Sequence, residues 1–360
     1  MGISVTRLKG RGGHHDKLSV LRLVFVLGVS VFLLPACTHG RRVVNDVKPG
    51  AHVRDAALLY RSRQDRLNTV LYPLLLHNAG LCGQKTHFSL GIVTEDAQYQ
   101  HPHYGPVLRS LDGGSAARVR FVGTGTQAER AGVRAGDEIV AVNGRSFFPD
   151  SSETSNVMSA LGMAAEKGKS VVLEIRRGGE LLELKVSPER MCSVQAAPLN
   201  ILSGSKFSED DFVYVCGGLM RLCRADWELA VLLGQEMAHV VLRHGEMRER
   251  RNAGMEAMNG ALGMLLGFSV GGEMEEYDDP FPLAQEIEAD VLGLFMAARA
   301  GYDVSRAHIL WGRLASEQAD LRLEGDGPWD AGERYEAIRR VAARIRRLRA
   351  EGRELLPQGP

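Results

Sequence analysis

The chain has 360 residues and carries 44 basic and 44 acidic residues, so its formal net charge is zero. A length of this order allows two or three domains of ordinary size. The balanced charge argues against a nucleic-acid-binding protein, because such proteins usually carry a basic excess. The composition, 44% hydrophobic and 24% charged, is that of a globular protein and excludes a collagen, a coiled coil and a wholly disordered chain.

The first 36 residues are predicted to form a targeting segment. Five basic residues lie within residues 7–22, and an apolar run follows over residues 23–34. The run is too short to span a bilayer, which needs about 20 residues, and this arrangement is typical of a secretory signal. It ends in Leu34-Pro35-Ala36-Cys37, which resembles the lipobox of bacterial lipoproteins. In that motif the cysteine is lipidated and begins the mature chain.

The resemblance implies removal of residues 1–36 and anchoring through lipidated Cys37, with residues 37–50 as a tether. Thr38 follows the cysteine where an aspartate would be the usual inner-membrane retention signal. By analogy we expect an outer-membrane anchor facing the periplasm. The mature chain would then carry 39 basic and 43 acidic residues, a net charge of −4. The alternative is an ordinary signal peptide with an incidental cysteine.

Two segments follow the tether. Leucine and valine recur at three- and four-residue intervals between Ala51 and Asn78, which predicts a helix. We assign this helical segment, residues 51–82, to the last domain of the chain. Residues 83–117 show little periodicity and are predicted to be an irregular insert.

Residues 118–191 carry a clearer pattern. A strand over residues 118–122 is followed by a run over residues 125–144 that contains Ala131-Gly132, Gly136-Asp137 and Asn143-Gly144. The run resembles the "SPA-x-x-AG-L-x-x-GD-x-I-x-x-x-NG" sequence of bacterial PDZ domains, and its Asn-Gly pair is a strong hairpin signal. A helix over about 154–167 and strands over 170–176 and 181–187 complete a predicted PDZ-like domain.

The PDZ resemblance implies that this domain binds an extended peptide, which adds as a strand to a sheet edge. The candidate for the loop that captures a peptide carboxylate is Leu90-Gly91-Ile92, which lies well upstream of the rest of the pattern. The alternative is a PDZ-like module that packs on its neighbour and gates it.

The apolar spacing over residues 226–247 predicts a long, mostly buried helix. This helix carries a glutamate, and glutamate is rarely buried unless it has a partner or a function. The helix contains Gln235-Glu236-x-x-His239. It resembles the "H-E-x-x-H" helix of the gluzincin metallopeptidases, in the family of CAAX prenyl endopeptidases and bacterial envelope quality-control proteases. In that motif the first and last residues share one helix face and bind zinc, and the glutamate is the general base.

A second block supports this resemblance. Residues 285–293 and 296–303 match the family's "E-x-E-A-D-x-x-G…ARAGYD" pattern. The match implies that Glu286 is the third zinc ligand and that Asp290, one turn later, orients His239. The predicted fold is therefore α+β: a mainly helical zincin-like (gluzincin) peptidase domain over residues 192–351, an inserted small β-rich PDZ-like domain, and a tail over residues 352–360.

Two departures weaken the predicted site. Gln235 stands where the motif has its first histidine, and an amide oxygen is a much poorer zinc ligand than imidazole. His244 does not replace it readily, because it lies five residues, about 140° around a helix, from His239. Pro328 stands where these peptidases often carry an active-site histidine, six residues before Arg334.

The resemblance therefore implies a weakened Zn²⁺ site. If the domain is active, His239, Glu286 and, as a doubtful ligand, Gln235 would hold the ion, while Glu236 would transfer the proton. Taken singly, His239 is better explained as a core histidine and Glu286 as an exposed helix charge, but jointly and in register the residues favour the metal site.

The mature chain keeps an even number of cysteines, which in an oxidising compartment allows two disulfides. We favour Cys82 with Cys192, because they bracket the PDZ-like segment, and this leaves Cys216 with Cys223. The alternative is buried thiols.

The C-terminal helix, about 334–351, is rich in arginine on its polar side. These residues would meet anionic lipid or a partner, although a solvated face is the commoner explanation of such a charge run. An apolar, glycine-rich segment over 257–272 is too short for a confident membrane span.

Three functions compete. The first is a membrane-anchored periplasmic metallopeptidase-family protein that acts on envelope proteins. The second is a pseudopeptidase whose PDZ module serves as a client-binding or regulatory adaptor. The third is a purely structural lipoprotein, which explains the motifs least well. The expected partners are envelope proteins or peptides and, through the anchor, the outer membrane; nucleic acid is not expected.

Overall fold

The computed structural model describes residues 51–96, 101, 103–111, 117–146, 157–200, 206–209, 211–251, 281–321 and 332–357. The predicted signal peptide, Cys37 and the tether lie outside these residues, as do the apolar segment over 257–272 and Pro328. Within the described ranges, no helix is long and apolar enough to cross a membrane.

Helix α1, Ala51–His77, lies between the two halves of the molecule. Its apolar residues Leu67, Val70 and Leu74 are fully buried in the larger core, as their helical spacing predicts. Asn78 ends the helix, and its Nδ2 donates to the carbonyls of Leu74 at 2.9 Å and Met296 at 3.0 Å.

The PDZ-like half is built from short strands and helices, which follow the predicted order from β3 onward. They are β1 Thr86–Ser89, β2 Ile92–Thr94, α2 Gly105–Leu111, β3 Val119–Val122, α3 Gln127–Arg130, β4 Glu138–Val142, β5 Arg145–Ser146, α4 Val157–Glu166, β6 Val171–Arg177 and β7 Glu180–Val186. Strands β5-β4-β6-β7 form an antiparallel sheet, and β2 pairs with β3. The Asn143-Gly144 turn has φ of 49° and 76°, which is the left-handed geometry that a two-residue hairpin requires.

The core of this half extends upstream of residue 118. Leu90 and Ile92 are each 4% exposed and pack with residues of β4 and β6. Part of the segment predicted as an irregular insert therefore supplies a strand and core residues to the PDZ-like domain.

The chain enters and leaves the PDZ-like half through adjacent strands. Strand β8, Glu189–Cys192, pairs antiparallel with β1, and the Cys82–Cys192 disulfide joins the two crossings with their Cα atoms 5.6 Å apart.

The second predicted bridge is wrong, because Cys216 and Cys223 are buried thiols. They flank the helix α5, Gly217–Leu222, and seven residues of helical rise separate them by about 10 Å, beyond the reach of a disulfide.

In its described residues, the larger half combines a small sheet with four long helices. Its strands are β9 Gln195–Leu199, β10 Lys206–Glu209 and β11 Phe212–Cys216, in the order β10-β11-β9, with β9 parallel to β11. Its long helices are α6 Asp226–Leu242, α7 Leu283–Arg299, α8 Ala307–Leu321 and α9 Gly332–Ala350. Phe295, Trp311 and Ile338 are at most 1% exposed and fill the core between these helices.

Helices α6 and α7 cross at a pair of glycines. A Cβ added at Gly234 would lie 2.6 Å from the carbonyl oxygen of Gly293, and one added at Gly293 would lie 2.5 Å from the backbone nitrogen of Gln235. Because neither position has room for a side chain, the two backbones approach closely. This crossing brings the residues after Gly234 directly against α7.

Helix α6 ends earlier than predicted. Arg243 adopts a left-handed conformation with φ 58° and ψ 36°, so the helix stops at Leu242 instead of continuing to 247. Helical residues resume at 244. The break redirects His244 and invalidates its predicted position, 140° around a continuous helix from His239.

Candidate active site and peptide-binding groove

The predicted site residues of α6 are buried. Gln235, Glu236 and His239 are 1%, 3% and 2% exposed, in a helix whose residues from Glu228 to Val240 are all buried. Polar groups in such a position need partners. Gln235 and His239 find theirs in Glu286 of α7 and in His244.

Gln235 contacts the carboxylate of Glu286 on α7. Its Nε2 donates to Oε2 of Glu286 at 2.9 Å, and its own Oε1 is buried without a hydrogen-bond partner among the described residues. Arg334 of α9 places a terminal guanidinium nitrogen 2.9 Å from the same Oε2. One oxygen of the predicted metal-binding carboxylate is therefore engaged by an amide and by a cation.

Arg334 is the central cation of the site. It is 1% exposed and binds both oxygens of Asp290, at 2.8 and 3.0 Å. Burial acts to lower the pKa of Arg334, but the hydrogen bond to Asp290 and the negative charges of Asp290, Glu286 and Glu236 outweigh it and leave this pKa raised. The guanidinium thus stays charged and compensates the buried carboxylates around it.

His239 lies between Glu286 and His244. Its Nε2 is 3.7 Å from Oε1 of Glu286, its Nδ1 is 3.0 Å from Nδ1 of His244, and its ring stacks on Phe281 at 4.2 Å. Asp290, predicted to orient His239, binds Arg334 through both oxygens. The structure places His244 at the nitrogen of His239 that faces away from Glu286.

His244 is itself buried. Burial lowers its pKa, and the nearby Glu288 carboxylate, whose oxygen lies 3.4 Å from Nε2, opposes this shift.

These residues do not fit a catalytic zinc site. Such a site holds the ion with three strong protein ligands, and in the described part of the chain no three His, Cys, Asp or Glu side chains are placed to hold a metal. His239 and Glu286 do converge, but the third position holds an amide that turns its nitrogen toward Glu286. The arrangement is a hydrogen-bonded ion-pair cluster in which one guanidinium, that of Arg334, is shared by Asp290 and Glu286.

The structure thus brings together Gln235, His239 and Glu286, with Glu236 buried beside them, as the spacing of the two motifs predicts. Sequence reasoning missed the partner of these residues. Arg334 lies four residues before Ile338 on the buried face of α9, and an arginine on an apolar face indicates a buried carboxylate partner. That signal was present in the sequence.

The predicted peptide loop, Leu90-Gly91-Ile92, leads into β2. The carbonyl of Gly91 accepts from the backbone nitrogen of Gly123 at 2.8 Å, toward β3. Backbone groups of successive residues point to opposite edges of an antiparallel strand, so those of Ile92 point away from β3. Within the described ranges β2 pairs with β3 alone.

Helix α4 runs along the outer edge of β2. The backbone nitrogen of Thr94 donates to Sδ of Met158 at 3.4 Å, and beyond the other end of the helix a Cβ added at Gly168 would lie 3.4 Å from the ring of Phe88. Gly162, one turn after Met158, has no atom within 4 Å of an added Cβ. Met158 therefore covers the outer edge of β2 at Thr94, whereas the face of α4 at Gly162 is open; the interval between β2 and α4 on this side of Met158 is called the channel below.

Family comparisons divide the chain in the same way. Residues 89–187 match the model of the PDZ domain, and residues 202–351 match the model of Peptidase family M48. The first match begins at the predicted peptide loop, and the second contains both site motifs.

Individual relatives cover smaller parts. "Metalloendopeptidase OMA1, mitochondrial" of Bos taurus is 30% identical over 28% of this chain and 22% of its own length. "Mitochondrial metalloendopeptidase OMA1" of Schizosaccharomyces pombe is 26% identical over 30% of this chain and 34% of its own length. The chain thus spans only about a fifth to a third of these relatives.

Among solved structures, "Crystal Structure of the HtrA3 PDZ Domain Bound to a Phage-Derived Ligand (FGRWV)" is 26% identical over 30% of this chain and 91% of that chain, with a TM-score of 0.21. The two family matches, together with the helices and strands described above, identify the chain as one that combines a PDZ domain with a Peptidase family M48 domain.

Proposed function

We propose that this chain is a lipid-anchored protein of the bacterial envelope, facing the periplasm, that binds exposed segments of envelope proteins. In this proposal the PDZ domain captures a client segment and the M48 domain serves as a binding platform rather than as a zinc peptidase. The chain then acts as a client-binding or regulatory adaptor.

The contacts of the Glu286 carboxylate are the main support for this proposal. The carboxylate accepts from Gln235 and pairs with Arg334 through the same oxygen, 2.9 Å from each. Because Oε2 is held in this way, a zinc ion would gain only Oε1 of Glu286 and Nε2 of His239 as strong donors, one fewer than a catalytic site needs. Where the motif has its first histidine, this chain therefore has an amide that hydrogen-bonds to the predicted third ligand.

The channel beside β2 supports client binding. Its edge carries the outward backbone groups of Ile92, and the loop that precedes it contains Gly91 with φ 73°. A peptide that adds as a strand here would gain main-chain hydrogen bonds, the mode by which PDZ domains bind.

The envelope location is supported by the sequence and by one covalent bond. The basic and apolar N-terminal segment ends in a lipobox-like Cys37, as described above. The Cys82–Cys192 disulfide suits an oxidising compartment such as the periplasm.

An active zinc endopeptidase is the second candidate. Glu236, His239 and Glu286 are all present and adjacent, and the orphaned Oε1 of Gln235 is a buried acceptor beside them. These residues would hold Zn²⁺ only if the Gln235 amide turned its oxygen toward the ion.

Unfolded casein tests both candidates. We expect the purified chain to retain casein without producing fragments, and Gly162→Trp to weaken this binding at least about tenfold by filling the channel beside β2. Met163→Trp is the matched control, because Met163 is 51% exposed on the next position of α4 and its side chain points to solvent. Casein fragments that disappear in Glu236→Gln would instead show a working peptidase. Equal binding by Gly162→Trp and the control would show that the PDZ channel does not hold the client.

A further inference from the structure

The outer face of α9 is strongly basic. From residue 339 to residue 350 the helix contains six arginines and no acidic residue. Its opposite face supplies Ile338, Ile345 and Leu348 to the core, each at most 6% exposed. The apolar side of this amphipathic helix is thus committed to the fold, and the basic side faces solvent.

Three of the six arginines have partners that hold them to the protein. Arg339 pairs with Glu336 at 2.9 Å, and the guanidinium of Arg344 lies over the ring of Phe295 at 5.3 Å. Arg349 donates to the carbonyls of Ala298 and Tyr302, at 2.6 and 2.9 Å.

The other three are Arg340, Arg346 and Arg347. All three are exposed, and none has an acidic partner among the residues that the structure describes. Glu333 and Glu336 border a cavity with Arg340, whereas the stretch from residue 339 to residue 350 contains no acidic residue.

These side chains border a shallow trough of about 640 Å³. Ala343 and Ala350 line it together with Arg340, Arg344, Arg346 and Arg347. From Arg340 to Arg347 the helix rises about 10 Å, so the charges are spread along a line instead of converging on one point.

We propose that this face of α9 docks on a membrane surface that carries anionic phospholipids. A guanidinium binds phosphate oxygens bidentately, and a line of guanidiniums matches the repeated phosphates of a lipid surface better than a single anion. Because the apolar face is buried, the helix lies on the headgroups and does not insert. The contact is independent of the metal site, of the PDZ channel and of the lipid anchor.

Vesicle sedimentation tests this inference. A chain that begins at residue 38 lacks the lipidation site but keeps every contact described above, since these lie between residues 51 and 357. We expect it to bind phosphatidylcholine vesicles that contain phosphatidylglycerol, and to bind pure phosphatidylcholine vesicles far less. High salt should release it, because exposed charges are screened.

The triple variant Arg340→Gln, Arg346→Gln, Arg347→Gln should lower the partition coefficient about a hundredfold. The matched control is Arg134→Gln, Arg145→Gln, Lys169→Gln, which removes the same charge from exposed positions of the PDZ domain and should retain binding. Replacement of the three α9 arginines by lysine should keep most of it, and a thermal melt checks that each variant folds.

Three results would overturn the proposal. One is equal binding to vesicles with and without phosphatidylglycerol. Another is an equal loss in the PDZ control, which would indicate net charge instead of this face. The third is displacement by inorganic phosphate beyond that by sodium chloride of equal ionic strength, which would assign the trough to a free anion.

Discussion

The PDZ domain keeps the residues of its sequence pattern, whereas the M48 domain lacks one of the predicted metal ligands. The comparison shows that residues required for backbone geometry and residues required for a reaction can change separately. In the PDZ domain the patterned residues serve the backbone: Asn143 and Gly144 form the hairpin turn, and Thr126 accepts from the backbone nitrogen of Glu129 to cap α3. In the M48 domain the helices and the Gly234–Gly293 crossing are intact. Gln235 stands in place of a predicted metal ligand, at a position where the backbone does not require a particular side chain.

The M48 domain therefore keeps its architecture while its chemistry changes. Gln235 occupies a buried position that its aliphatic stem fills, and its amide finds a partner in Glu286. Helix spacing and glycines therefore identify the fold even in a chain whose catalytic activity they do not establish. The comparison between the two domains can be tested at four points.

The largest effect is expected from Arg334→Met. This change removes the cation between Asp290 and Glu286 and leaves two carboxylates buried without it, which should lower the free energy of unfolding by about 4 kcal/mol. Urea unfolding at neutral pH measures the loss. The equivalent change in the PDZ domain, Arg177→Met, breaks a pair with buried Asp137 but should cost less, because water reaches Arg177.

Arg339→Met is the control on α9 itself. Its ion pair with Glu336 is exposed, so the free energy of unfolding should change by at most about 0.5 kcal/mol. A loss for Arg334→Met no larger than for Arg339→Met would contradict the ion-pair cluster.

The next effect concerns the helix crossing. Gly293→Ala places a methyl group against the backbone of Gln235 and should destabilise the chain by about 2–3 kcal/mol. Gly162→Ala in α4 of the PDZ domain meets no atom within 4 Å and should be neutral or stabilising, since alanine favours a helix over glycine. Thermal melts of the two variants in parallel decide whether the crossing is as close as the structure places it.

The smallest effect is a pH dependence at the contact between α1 and the PDZ domain. Tyr72 packs against Phe121 with ring centroids 5.2 Å apart, and burial raises its pKa to about 12. Its stabilising contribution is therefore fully present below pH 10, the ordinary tyrosine pKa, and is lost as the pH rises toward 12.

At pH 11 this loss should reach about 1 kcal/mol relative to pH 9. Tyr302, whose pKa burial also raises to about 12, adds a similar loss. Tyr72→Phe should show a correspondingly shallower fall in urea midpoint between pH 9 and pH 11 than the unchanged chain. Parallel curves for the two proteins would mean that Tyr72 is hydrated in the folded state.

Most of the fold followed from local patterns. The periodicity between Ala51 and Asn78 predicted α1, and the Asn143-Gly144 pair predicted its hairpin, because in both places a short stretch of sequence determines the local geometry. The end of α6 did not follow, since Arg243 is an ordinary helix former and takes a left-handed conformation only in its tertiary setting.

The sequence predicted which residues form the site but not which contacts they make. The spacing of the two motifs placed Gln235, His239 and Glu286 together, whereas the hydrogen bonds of Glu286 depend on α9, which lies some 50 residues further along the chain. The wrong Cys216–Cys223 bridge has a similar cause, because the sequence gives no sign that a helix holds these cysteines apart.

Zinc content tests the central claim most directly. The wild-type chain and Gln235→His are equilibrated with zinc, dialysed and analysed by elemental mass spectrometry. If Gln235 and Arg334 hold Glu286 as the structure shows, the wild type should retain well below one zinc ion per chain and Gln235→His should approach one. A wild-type chain that retains about one zinc ion, lost in His239→Ala, would contradict the account and restore the peptidase.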